Sequence, residues 1–172
     1  MIAMKKISIV VLLIVAGSVT INAQCPLKKG ENQFNAGFGF ANGGIPIYAG
    51  IDFGAFKDIT IGIEGSFRSY SENIYGSSYT SAVFGIAGTG NYHFNTVLEI
   101  PKKWDFYAGI TLGYYAWSLP SDYPGGNSSG FGLGAQIGGR YFFNNNFGLN
   151  LEFGGGSSFS GGKIGITYTL GK

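Results

Sequence analysis

The sequence predicts an all-β protein, an eight-stranded antiparallel up-and-down transmembrane β-barrel preceded by a cleaved signal peptide. Three observations carry this. Charged residues make up only 12% of the chain while aromatics reach 16%, and soluble domains carry about 25% charge. Beyond residue 23 nothing approaches the roughly 20 apolar residues of a spanning helix. The rest of the chain instead alternates bulky apolar with small polar residues, in pieces separated by Gly, Asn, Ser and Pro.

Residues 1–23 place Lys5 and Lys6 before the apolar run ISIVVLLIVAG and end on Ile21-Asn22-Ala23. Basic start, greasy centre and small final residue are the order of a secretory signal, so cleavage is expected after Ala23. Cys25 raises lipidation as an alternative, but Gln24 stands where lipoprotein processing takes a small residue. The expected organisation is signal peptide 1–23, short N-terminal segment 24–32 and barrel domain 33–172.

Lys5 and Lys6 leave with the signal, so of 11 Lys+Arg and 9 Asp+Glu the mature chain keeps equal numbers. That balance gives no electrostatic footing for nucleic acid. One cysteine forms no internal disulfide. A chain that is apolar overall and has no spanning helix can still cross a bilayer as a closed barrel, which satisfies every backbone group within itself.

Eight period-two pieces are read: Gln33 to Phe40, Ile45 to Gly54, Ile59 to Ser69, Tyr79 to Asn91, Trp104 to Ser118, Gly130 to Phe143, Phe147 to Gly156 and Lys163 to Leu170. One face is apolar, as in Phe34, Ala36, Phe38 or Ile59, Ile61, Ile63. The opposite face is small and polar, as in Asn35, Gly37, Gly39 or Thr60, Gly62. The charges inside these pieces, Asp52, Glu64, Arg68, Asp105, Arg140, Glu152 and Lys163, all fall on the small polar face. In a soluble barrel they would form far too sparse a water-facing coat. In a membrane barrel the apolar face meets lipid and the charges pair in a narrow lumen.

With the N-terminus in the periplasm, the turns 55–58 and 144–146 are short and inner, and the loops 70–78 and 119–129 are long and outer. The outer loop 41–44 and inner turn 95–103 depart from this asymmetry. Phe34, Phe53, Tyr92, Phe94, Trp104, Tyr141, Phe143, Phe147 and Tyr168 fall at the inner strand ends, and Phe40, Tyr79, Tyr114 and Phe131 near the outer ends. Two aromatic belts are what two membrane interfaces select.

Strand number, dyad repeat, glycine-rich polar face and the start NQFNAGFGF together resemble the OmpA/OmpX-like small outer-membrane barrels, the porin-family β-barrel domain type, over Phe34 to Leu170. The resemblance implies a bacterial outer-membrane location, contact with outer-membrane lipid and insertion by the barrel-assembly machinery. Members often end on an aromatic strand residue read by that machinery. Here IGITYTL is followed by Gly171-Lys172, a departure from the pattern.

Little suggests catalysis. His93 is the only histidine and is read as a lumen-side rim residue among aromatics, with no partner at metal-ligand spacing. A lipid A deacylase barrel would carry His and Ser close together, and no His-x-Ser occurs. The glycine strings 85–90 and 130–139 have no helix after them to make a phosphate cradle, and are read as thinning the lumen wall. No catalytic residue, metal or cofactor is expected.

Barrels of about eight strands are filled by their own side chains. The expected role is therefore structural or surface-interacting, with the narrow solute channel as the alternative and a lipid-modifying enzyme behind both. A monomer is expected, with loops 70–78 and 119–129 able to meet an extracellular ligand. Counted from the turn 144–146, Arg140 and Glu152 lie at similar heights, so Arg140 is expected to contact Glu152 or Glu64, with Lys163 above.

Overall fold

A computed structural model describes residues 27–41, 44–74, 76–121, 124, 128–156 and 160–170. The signal segment, its cleavage point, Cys25 and the last two residues lie outside them, as do parts of the loops 41–44 and 119–129.

The strands are β1 Asn32–Ala41, β2 Ile47–Phe56, β3 Ile59–Ile74, β4 Ser77–His93, β5 Trp104–Ser118, β6 Gly130–Phe142, β7 Phe147–Gly156 and β8 Gly161–Leu170. Each pairs antiparallel with its sequence neighbours, and β1 pairs with β8 to close the barrel. Closure removes the open edges that would otherwise strand backbone groups in lipid. The ten residues of β1, at about 3.3 Å each and tilted, match the apolar band of about 25 Å of such barrels.

Alternation decides what faces where. On β2 Tyr48 and Asp52 are buried while Ile47 and Phe53 are exposed, and β7 buries Gly148 and Asn150 while exposing Leu149 and Leu151. The core of this molecule is its lumen. Phe131 at 79% exposure and Ile63 at 56% lie on the outer wall, an apolar surface far larger than a water-soluble monomer tolerates.

Several strand boundaries differ from the sequence expectation by a few residues, and two of the differences have a plain physical reason. The segment 70–78 is mostly not loop, because the β3–β4 ladder runs on to Ile74↔Ser77, and a Ser71–Thr80 hydroxyl contact of 2.8 Å ties the two strands. The polar composition that reads as loop is that of a ladder extending beyond the apolar band, and it brings Glu72 into a strand. β2 starts at Ile47 rather than Ile45, because Pro46 has no N–H for the ladder.

The short segment before β1 is tied to the opposite end of the barrel, where the chain enters β1. Gly30 N–H donates to Gly54 O, Gly54 N–H donates to Glu31 O, both at 3.0 Å, and Leu27 is buried.

Candidate functional site

The lumen side chains sort into two layers. The lower, nearer the termini, centres on Arg140, which is 3% exposed. Its Nη2 donates to Asp52 Oδ2 at 2.6 Å and its Nη1 to Asp105 Oδ2 at 3.3 Å. With its amide oxygen turned to the guanidinium, Gln33 accepts from Arg140 Nε at 3.2 Å and Nη1 at 3.0 Å; the surrounding donors fix that orientation.

Hydrogen bonds spread from this hub around the wall. Asn35 Nδ2 donates to Asp52 Oδ2 at 3.0 Å, and Thr167 Oγ1 donates to Asn35 Oδ1 at 2.8 Å. On the other side His93 Nδ1 lies 2.6 Å from Asp105 Oδ1, and His93 Nε2 lies 3.0 Å from Thr60 Oγ1. An ionised carboxylate only accepts, so Nδ1 carries the proton.

The upper layer centres on Lys163. Its Nζ donates to Glu64 Oε1 at 2.6 Å and Oε2 at 2.9 Å, and lies 3.1 Å from Glu152 Oε1. The ammonium also stands 5.1 Å from the Tyr48 ring centroid, and Tyr48 Oη shares hydrogen bonds with the Asn150 amide.

Tyr107 joins the layers. Its ring lies 4.6 Å from the Arg140 guanidinium carbon and its Oη donates to Glu152 Oε2 at 2.9 Å. Gly138 is paired to both Tyr107 and Glu152, and a Cβ there would strike the Tyr107 ring. The missing side chain is what lets the phenol lie across β6 to reach β7. Such pairing is favoured because an isolated charge in this lumen carries several kcal/mol of desolvation, on the order of the penalty for any buried ion.

The predicted lumen charges are thus placed as follows. Asp52, Asp105 and Arg140 meet in one layer, Glu64, Glu152 and Lys163 in the other. Arg68 stands outside both, its guanidinium carbon 5.4 Å from the Tyr70 ring and 5.7 Å from Trp117. The expected pairing of Arg140 with Glu152 or Glu64 is corrected. Arg140 is directly opposite Asp105 on β5 and Asn150 on β7, whereas Glu152 is opposite Lys163 on β8. Counting heights within one hairpin misses the strands on either side of it.

His93 faces the lumen beside the Tyr107 ring, with centroids 5.6 Å apart, as its rim position among aromatics predicts, and it has two polar partners besides. Hydroxyl, imidazole and carboxylate stand in the order of a nucleophilic relay. Thr60 and His93 are both 0% exposed, so a substrate carbonyl has no approach, and the three residues brace the wall. Gln33, Tyr48 and Tyr107 are lumen residues that the sequence reading does not single out. The two tyrosines sit on the lumen phase of their strands, an even number of residues from Asp52 and Asp105, and bulky residues on a small face beside charges are the signal.

The nine inner-belt aromatics all lie on the outward phase. Trp104 touches Phe106 and Tyr141 at centroid distances of 5.7 and 4.7 Å, Tyr141 touches Phe143 at 5.4 Å, and Tyr92 touches Phe94 at 5.3 Å. Phe34, Phe53 and Tyr168 are exposed, and Phe147 lies 6.0 Å from Phe143.

No family model matches the chain, and no curated protein matches it. Solved structures do. OprG from Pseudomonas aeruginosa aligns with a TM-score of 0.68 at 9% identity, covering 89% of this chain and 100% of that one. The N-terminal β-barrel domain of Pseudomonas aeruginosa OprF gives 0.58 at 14% identity, covering 84% and 100%. Neisserial surface protein A gives 0.57 at 14% identity, covering 81% and 96%. The chain therefore has the fold of the small eight-stranded barrels of the bacterial outer membrane, and its apolar outer wall suits it to that membrane.

Proposed function

We propose that the protein is a structural or surface-interaction barrel of the outer membrane, with no enzymatic role and no sustained solute conduction. The single observation behind this is the pair of linked layers. Between them, Arg140, Tyr107 and Lys163 draw polar groups from seven strands into the bore, and His93 of β4 joins through Asp105. A cavity of about 60 Å³ beside Lys163, bordered by Tyr48, Ser66, Thr111, Tyr115 and Gln136, opens onto this floor and has room for a few waters.

In this reading the termini and short turns face the periplasm, the barrel works as a monomer, and the assembly machinery inserts it. The exposed end of the β3–β4 hairpin and the segment 119–129 offer the contact surface for an extracellular ligand. Planar-bilayer recording of the refolded protein tests the plug: the expected result is no sustained conductance, and a stable open pore would replace this reading with the channel.

A further inference from the structure

On the outer wall near the terminal end, β5 to β8 form a shallow, open apolar groove of about 530 Å³, a volume in the range of ligand sites. Its geometry follows from the register. Phe106, Gly139, Leu151 and Ile164 form one row across four strands, with Trp104, Tyr141 and Leu149 in the next row towards the terminal end. Gly139 is the one outward position of that first row with no side chain, and the Phe106 ring leans over it, 3.0 Å from where a Cβ would sit. Aromatic rings thus form one wall, and Leu149, Leu151 and Phe153 form the other.

The turn that leads into Trp104, a lining residue of the groove, carries two cations. Lys102 and Lys103 immediately precede Trp104, and Phe142 N–H donates to Lys103 O at 2.8 Å, which seats that turn against the end of β6, next to Tyr141. Trp104 N–H donates to Pro101 O, also at 2.8 Å, and Lys102 is exposed. An apolar groove that adjoins a turn carrying two lysines is complementary to a lipid with an anionic headgroup.

We propose that this groove is a binding site for an anionic phospholipid, one acyl chain lying over Gly139 between Phe106 and Leu151 and the phosphate meeting Lys102 and Lys103. The proposal rests on the membrane reading above. It differs from general lipid contact in requiring headgroup selectivity at this one place on the wall.

Trp104 is the reporter. With Trp117→Phe it becomes the sole tryptophan, and the refolded barrel is placed in phosphatidylcholine vesicles containing brominated phosphatidylglycerol or brominated phosphatidylcholine. Relative quenching should give phosphatidylglycerol an advantage of about fivefold, the size expected from about 1 kcal/mol of lysine attraction. Lys102→Gln with Lys103→Gln should bring the ratio towards one, and so should Gly139→Leu, which keeps the lysines but fills the trough. Heat-shifted gel mobility verifies folding of each variant. A ratio of one in the starting barrel, or an undiminished ratio in either folded variant, overturns the lipid site. Failure of brominated phosphatidylcholine itself to quench Trp104 would instead overturn the membrane reading, and the site with it.

Discussion

Arg140 Nη2 lies 2.6 Å from Asp52 Oδ2, joining β6 to β2 across the lumen through residues 88 apart in sequence. The guanidinium also serves Asp105 on β5 and Gln33 on β1, so one side chain spans the bore. Arg140→Met would leave two buried carboxylates without their cation. It should lower stability by about 3 to 5 kcal/mol, read as a shifted urea midpoint in lipid vesicles. An unchanged midpoint would mean that the lower layer does not brace the barrel.

The two faces of β3 should respond oppositely to neighbouring changes. Ile63 faces outward at 56% exposure, and Ile63→Arg should cost about 2 to 4 kcal/mol near the bilayer midplane. Glu64→Gln removes one carboxylate charge from Lys163, which keeps Glu152 at 3.1 Å, so insertion should survive. Heat-modifiable mobility and urea refolding compare the pair, and equal tolerance at both positions would reverse the assignment of faces.

Gly138 and Tyr107 make a steric prediction. Gly138→Val drives a side chain into the Tyr107 ring and should destabilise by about 1 to 3 kcal/mol, the usual cost of overpacking. Gly130→Val, at a strand start where an added Cβ meets nothing within 4 Å, is the matched comparison and should be near neutral. Similar urea midpoints for both would show that the phenol does not need the gap.

Cleavage after Ala23 is expected from the order of charge, apolar run and small residue in 1–23. Intact-mass measurement of the protein purified from membranes reads it directly. A chain retaining Met1, or one starting on a lipid-modified Cys25, contradicts it.

The alternation of Ile59, Ile61, Ile63 against Thr60, Gly62, Glu64 is enough to establish strands, faces and barrel, because a period of two assigns every side chain to lipid or lumen without reference to any other strand. The charge on Asp52, Glu64, Asp105, Arg140, Glu152 and Lys163 likewise requires a polar side for them. Which of them pair is not a local property. Arg140 meets Asp52 because closure of β1 on β8 curves the sheet until β6 and β2 face each other, and the sequence holds neither the stagger nor the curvature explicitly. The stagger of neighbouring strands sets His93 between Asp105 and Thr60, and the empty position at Gly138 lets Tyr107 cross β6 to Glu152. Alternation along one strand determined the wall of this protein, while contact across the bore, decided only in three dimensions, determined what fills it.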